Sequence, residues 1–135
     1  MSFSDYLELE LLDHVFGAAS YSAPATLYFG LSTATITDST TGTTVTEPSG
    51  NAYARKSETN NSTLFPAASA GQKKNGTAIT FAQATGSWGT ITDFFIADAA
   101  TLGNILAYGT LTTSKAIGNG DTASFAANDL TITLD

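Results

Sequence analysis

The stretch Gly86–Leu111, GSWGTITDFFIADAATLGNILAYGTL, decides the fold of this chain. It contains the only tryptophan, two of the eight phenylalanines and the densest apolar run in the sequence. Apolar and polar side chains alternate along both of its arms, and a short polar turn separates the arms, which predicts a β-hairpin. We therefore expect the core of the protein to be built around this central hairpin.

The first arm of the hairpin carries bulky side chains on both faces. Strand alternation puts Trp88, Phe94 and Ile96 on one face and Ile91 and Phe95 on the other. A strand that is apolar on both sides is usually interior to a sheet. We therefore expect either a packed layer on each face or a subunit contact on one of them.

Composition narrows the class of protein. A chain of 135 residues is expected to form one domain, residues 1–135. Only 13% of the residues are charged, about half the usual share. A weakly charged surface rich in threonine favours a homo-oligomer or a larger assembly. The net charge of −7 argues against nucleic acid as a partner, because binding to phosphates needs a basic patch.

Other sequence features bear on the compartment. The first 13 residues hold four acidic residues and no basic one, which argues against a secretory signal. No run approaches the roughly 20 apolar residues that a membrane helix needs, so no membrane association is expected. The chain lacks cysteine, which excludes disulfides and thiolate chemistry within it. We expect a protein made in a cytoplasm.

One helix is predicted, within an N-terminal segment 1–17. Ser4 or Asp5 can cap it, and Gly17 ends it. Its apolar residues recur at helical spacing and form a stripe, which either packs on the chain's own sheet or contacts a neighbouring subunit. The candidate interface residues on this stripe are Leu7, Leu11 and Val15.

The remaining segment, 18–135, predicts a mainly β fold. Seven or eight short strands are separated by turns, which favours an antiparallel β-sandwich of jelly-roll or Greek-key type. Residues 32–51 interrupt this pattern with eight threonines and only two large apolar residues, Ile36 and Val45. Such a long polar excursion predicts a functional loop or an arm on a partner. Ile36 and Val45 are therefore two further candidate interface residues.

The candidate core follows from the apolar faces of the predicted strands. It comprises Phe29, Phe81, Trp88, Phe94, Ile96, Ile105, Leu111 and Ile132.

We find no catalytic, metal or cofactor motif. His14 is the sole histidine and lies beside Asp13 on the polar helix face, so no nucleophile–base pair is indicated. The aspartate pairs Asp93/Asp98 and Asp121/Asp129 lack the oxygen-rich loop that calcium prefers. Trp88 is either a core residue or a platform for stacking on a sugar. We predict a non-enzymatic protein with no cofactor.

Stretches along nearly the whole chain resemble a family of small phage virion proteins usually named tail fibre proteins. The N-terminal half is less similar between Thr33 and Gly76, where this sequence is longer. The stretches that carry the resemblance are Asp5–Glu8, Leu12–Gly17, Tyr21–Thr33, Tyr53–Arg55, Ile79–Phe81, Ser87–Thr92, Asp98–Asn104, Gly109–Lys115, Asn119–Thr122 and Asp129–Leu134.

The resemblance implies a structural protein of a bacteriophage, made in the cytoplasm of the bacterial host and located in the virion. Because the chain has no shaft, we favour a capsid decoration or cement protein. Such a protein would bind the major capsid protein or other virion proteins as a dimer or trimer and stabilise the assembled head. Two alternatives stay open: a tail-associated or tail fibre protein that binds a host surface glycan, and a lectin or hydrolase outside any virion.

Overall fold

The computed structural model describes residues 1–17 and 19–133 and shows a mainly β protein with one helix near its N-terminus. All strand pairs are antiparallel, so the predicted fold class is confirmed. The elements are β1 Ser2–Phe3, α1 Asp5–Val15, β2 Thr26–Ser32, β3 Lys56–Thr59, β4 Gln72–Lys74, β5 Ile79–Thr80, β6 Gly89–Ala97, β7 Ile105–Ile117, β8 Ser124–Phe125 and β9 Thr131–Thr133.

The central hairpin forms as the sequence predicts, and its arms are β6 and β7. They are two of the three inner strands of a five-stranded sheet with the order β1-β7-β6-β2-β3. Two small sheets, β4-β9 and β5-β8, complete the fold. Side chains from the large sheet and from both small sheets meet in one core, which is the arrangement of a sandwich.

The main core lies on one face of the large sheet. Phe29 of β2, Ile91 of β6 and Ile79 of β5 are fully buried in it. Aromatic side chains connect the layers: the rings of Phe94 and Phe125 lie 5.0 Å apart between centroids. The hairpin of the large sheet therefore holds the second layer in place.

The predicted faces of β6 need one correction. Ile91 belongs to the main core together with Phe94 and Ile96, although alternation places it on the opposite face. The register with β7 shifts between Ile91 and Asp93, and such an irregularity moves side chains from one face to the other. Phe95, in contrast, lies on the second face as predicted.

The second face of the large sheet is covered by the threonine-rich segment, residues 32–51. Ile36 is only 4% exposed and packs with Phe95, Ala97 and Ile105 in a small second core. Val45 packs against the same core. Of the two predicted alternatives, a loop or an arm on a partner, the structure shows a loop, because the two apolar residues of this segment pack on the chain's own sheet.

The structure buries six of the eight candidate core residues and leaves Leu111 and Ile132 partly buried against the main core. Two strands are not predicted from the sequence. β1 is too short to show an alternating pattern, and β4 lies in a stretch whose composition predicts a loop. The final predicted strand is β9, and its last apolar residue, Leu134, lies outside the described residues.

Candidate docking surface

The helix α1 is attached to the sheet by its N-terminal end. Ser4 is its N-cap, one of the two residues predicted for that position, and the side chain accepts a hydrogen bond from the Leu7 backbone N–H at 3.4 Å. The Ser4 hydroxyl also donates to the carbonyl of Ile105, and its backbone N–H donates to the carbonyl of Leu106 at 3.1 Å. One buried residue thus joins the start of the helix to β7.

The threonine-rich segment holds the helix N-terminus from the other side. The backbone N–H of Asp5 donates to the carbonyl of Asp38 at 3.1 Å. The side chain of Asp38 accepts a hydrogen bond from the phenol of Tyr108 on β7. This hydrogen bond, together with burial and the nearby charges of Asp38, Asp5 and Glu8, raises the pKa of Tyr108 to about 12.

The C-terminal half of the helix exposes its apolar side chains. No helix residue is buried, and Leu12, Val15 and Phe16 are 54%, 66% and 80% exposed. Surface leucines scattered singly are ordinary, but a cluster of large apolar groups on one element marks an interaction site. The sequence predicts the stripe correctly, and the structure places most of it outside the core.

These side chains border a groove of about 570 Å³ between the helix and the edge strand β1. Phe3 of β1 lines one wall, and Leu11, Leu12, Val15 and Phe16 line the other. We call this surface the helix groove. Five of its eight lining residues are apolar, and the other three are Ser2, Glu8 and Thr133.

The predicted interface residues fall into three places. Leu7 turns inward and packs against the main core. Leu11 and Val15 lie in the helix groove. Ile36 is buried in the second core, and Val45 packs against it, so neither forms a surface with the helix residues.

A buried arginine fastens the threonine-rich segment. The side chain of Arg55 is 1% exposed and forms an ion pair with Glu47 at 2.7 Å. Its guanidinium also donates to the carbonyls of Ala99, Leu102 and Gly42 at 2.8, 2.9 and 3.3 Å. All of these partners lie in turns or loops, so one side chain joins the segment to the tip of the central hairpin.

Two aromatic residues complete this polar cluster. The guanidinium carbon of Arg55 lies 4.9 Å from the ring centre of Phe95, which is a cation–π geometry. The phenol of Tyr53 donates to Glu47 at 2.7 Å, and burial, followed by the charge of Glu47, raises the pKa of Tyr53. These contacts hold the segment 32–51 against the chain's own sheet and hairpin tip.

The aspartates that the sequence offers as metal ligands are engaged elsewhere. Asp93 accepts a hydrogen bond from Thr110 at 2.9 Å, and Asp98 accepts one from the backbone N–H of Asn104 at 2.8 Å. Asp121 and Asp129 accept bonds from backbone N–H groups in turns. Within residues 1–17 and 19–133, no three acidic or histidine side chains gather into a metal-binding group.

Trp88 and His14 also have local partners. Trp88 is 3% exposed, and its indole N–H donates to the carbonyl of Asn51 at 2.8 Å. The tryptophan therefore lies in the core and offers no surface for stacking on a sugar. His14 Nδ1 accepts a hydrogen bond from the backbone N–H of Tyr21 at 3.1 Å.

Three residues of this surface, Leu12, Phe16 and Phe3, are not among the interface residues predicted from the sequence. Leu12 and Phe16 belong to the predicted stripe, but no signal in the sequence tells which edge of the stripe faces solvent. Phe3 lies on a two-residue strand that sequence patterns do not reveal.

Among the described helices, none is long and apolar enough to cross a membrane.

The fold and the helix groove define a β-sandwich module with exposed apolar side chains on its helix. The family model described as "Podophage GP4 fiber I protein gp80" matches residues 2–133, and the chain belongs to this phage tail fibre family. The predicted resemblance is thereby confirmed, and the protein is a structural component of a phage virion. No curated protein matches the chain.

Proposed function

We propose that this protein is a non-enzymatic module of the phage tail fibre that attaches through the helix groove to another virion protein. The observation that carries the proposal is the cluster of exposed apolar side chains on the C-terminal half of α1. Burial of this surface on a partner would be favourable by roughly 25 cal/mol per Å² of apolar area. The family description supports a fibre location.

A head location is the second candidate. The longest strand, β7, has 13 residues but pairs from end to end with the nine-residue β6, so it spans only about 30 Å. A compact domain of 135 residues has a radius of gyration of about 14 Å. A chain of this shape cannot project far from a virion by itself. This supports the hypothesis of a capsid decoration protein that stabilises the head.

Imaging of the virion distinguishes the tail location from the head location. We expect density for a labelled copy of the protein on the tail of the purified virion. Density confined to the head would contradict the fibre proposal and favour decoration, in which case heads that lack the protein should lose resistance to heat or low salt.

The docking proposal has its own test. Val15→Glu and Phe16→Ser change exposed side chains that contribute little to the fold, so the isolated protein should melt as the wild type does. Incorporation into virions should fall by about tenfold or more, because Val15→Glu would bury a charge in an apolar contact and Phe16→Ser removes a large apolar side chain from that contact.

Leu102→Glu provides the matched control, because Leu102 is 60% exposed but lies at the hairpin tip instead of on the helix. If Leu102→Glu and Val15→Glu reduced incorporation into virions equally, the helix groove would have no specific role in attachment. Sedimentation of the isolated variants shows in addition whether the groove joins copies of this chain into the predicted dimer or trimer.

A further inference from the structure

The sequence contains two Asn-Gly pairs, Asn75–Gly76 and Asn119–Gly120, and the fold places them in different environments. In such a pair the backbone nitrogen of the glycine can attack the side-chain amide of the asparagine. Glycine hinders this attack least, because it has no Cβ and adopts the widest range of backbone conformations. Both pairs are therefore prone to deamidation in an unfolded chain, and the structure decides which of them reacts in the folded protein.

Asn75 is fully buried, and both ends of its side-chain amide are bound. The amide nitrogen donates to the carbonyl of Ala126 at 2.8 Å, and the amide oxygen accepts from the backbone N–H of Leu130 at 2.8 Å. The backbone N–H of Gly76, which would have to attack, donates to the carbonyl of Leu64 at 2.7 Å. Reaction at Asn75 therefore requires that contacts with two other segments of the chain open together.

Asn119 lies in a turn on the surface, directly after β7. Asn119 and Gly120 are both exposed, and Gly120 has φ +88°, in the left-handed region that favours glycine. The backbone N–H of Asp121 closes the turn by donating to the carbonyl of Gly118 at 3.1 Å, and Asp121 Oδ2 accepts from the Gly118 N–H at 2.8 Å. The turn thus presents this Asn-Gly pair to solvent.

The turn is held by the loop between β5 and β6. The backbone N–H of Gly120, the attacking group, donates to the carbonyl of Ala84 at 2.7 Å, and the carbonyl of Gly120 accepts from Gln83 Nε2 at 2.8 Å. Gly120 can attack only after its hydrogen bond to Ala84 opens. Opening of one surface turn is a local event, which needs much less free energy than exposure of the buried Asn75.

We propose that Asn119 is a site of spontaneous deamidation, at a rate set by the opening of the contacts of Gly120 with Gln83 and Ala84. The Gly120 nitrogen loses its proton and forms a bond to Cγ of Asn119, and the amide nitrogen of Asn119 leaves as ammonia. Water then opens the succinimide ring at one of its two carbonyls, which gives aspartate or isoaspartate. The reaction needs no reactant other than water.

Both products change the turn. Each one adds a carboxylate close to Asp121, on a chain whose net charge is already −7. Isoaspartate also inserts a methylene group into the backbone, which displaces Gly120 from its partners Gln83 and Ala84. We therefore expect the isoaspartate form to hold this turn less firmly and to melt at a lower temperature than the unmodified protein.

Incubation of the whole folded chain in mildly alkaline buffer, followed by peptide mapping with mass spectrometry, tests the proposal. Asn75 is the matched control, because glycine follows it as well. We expect Asn119 to convert at least about tenfold faster than Asn75, since only Asn119 is reached by a local opening. Equal rates, or a faster reaction at Asn75, would overturn the proposal.

The same incubation in urea separates the effect of the fold from that of the local sequence. Both Asn-Gly pairs are exposed in the unfolded chain, so the two rates should become similar. If Asn119 kept its full advantage over Asn75 in urea, the turn and its contacts would not be the cause, and the proposal would fail.

Gln83→Ala tests the role of the turn contacts directly. It removes the donor to the Gly120 carbonyl from an exposed position, so Asn119 should convert about two- to fivefold faster while the rate at Asn75 stays unchanged. Thr85→Ala, an exposed substitution in the same loop, is the matched control and should change neither rate. An unchanged rate at Asn119 in Gln83→Ala, or an equal increase in Thr85→Ala, would overturn control by the opening of this turn.

Discussion

The threonine-rich segment, residues 32–51, and the helix α1 exchange the roles that their sequences predict. The segment has only two large apolar residues, yet Ile36 is buried and Arg55 ties the segment to the hairpin tip. The helix has a stripe of apolar residues, yet none of its residues is buried. The number of apolar residues in an element therefore does not decide whether the element joins the core.

The difference lies in how each element is attached. Hydrogen bonds and an ion pair hold the segment at several points, whereas the helix is fixed mainly through Ser4 and the residues next to it. A polar segment can be ordered by one buried cation that binds several backbone carbonyls. An apolar helix fixed at one end keeps its other end available for a partner.

Among the substitutions that test this comparison, loss of the Arg55 side chain should lower the free energy of unfolding the most. Arg55→Ala leaves the partly buried Glu47 carboxylate and three carbonyls without their partner, and we expect it to lower the free energy of unfolding by about 3–5 kcal/mol. Glu58→Ala breaks the partly exposed Lys56–Glu58 pair and should cost less than about 1 kcal/mol. Urea unfolding of both variants measures the difference, and similar values would refute the fastening role of Arg55.

Replacement of one apolar side chain by alanine in each element compares how much the two elements contribute to stability. Ile36→Ala removes a side chain from the second core and should cost about 2–4 kcal/mol. Val15→Ala removes a side chain that is mostly exposed and should change stability by less than about 0.5 kcal/mol. If thermal melts gave Ile36→Ala the smaller effect, the segment would be a loose arm after all.

Overpacking of the second face should have a smaller cost. A Cβ at Gly30 would lie 2.1 Å from Cζ of Phe95, so Gly30→Ala forces the ring or the strand to move and should cost about 1–3 kcal/mol. Gly118→Ala is the control, because its nearest neighbour would be Asp121 Oδ2 at 3.6 Å, an ordinary contact. Equal melting temperatures of the two variants would show that the covering segment leaves room above Phe95.

The smallest effect concerns Asp38 of the threonine-rich segment, which contacts both the N-terminus of the helix and Tyr108 of β7. The pKa of Tyr108 is raised from 10.0 to about 12, so the folded protein holds the phenol proton more tightly than the unfolded chain. The stability from this group is fully present below pH 10 and is lost as the pH rises to about 12. Asp38→Asn removes the charged acceptor and should lower the pKa, as followed by the ultraviolet absorbance of tyrosinate. An unchanged titration curve would contradict a hydrogen bond between Tyr108 and Asp38.

Sequence patterns predict the hairpin, the helix and a cap at Ser4 or Asp5, because these depend on local periodicity and on the chemistry of a helix N-terminus. They also predict that both faces of β6 are covered. They do not predict what covers the second face, because that depends on a contact between residues distant in sequence. The same holds for Arg55, whose position in a short charged run is typical of an edge strand.

The sequence by itself determined the antiparallel β class, the helix and the phage family, since alternation, capping and family motifs are all local properties of the chain. Only the tertiary structure decided which apolar residues remained exposed. Ile36 and Val15 look alike as apolar residues outside the predicted core, and burial separates them because one segment is fastened to the sheet along its length while the helix is held at one end.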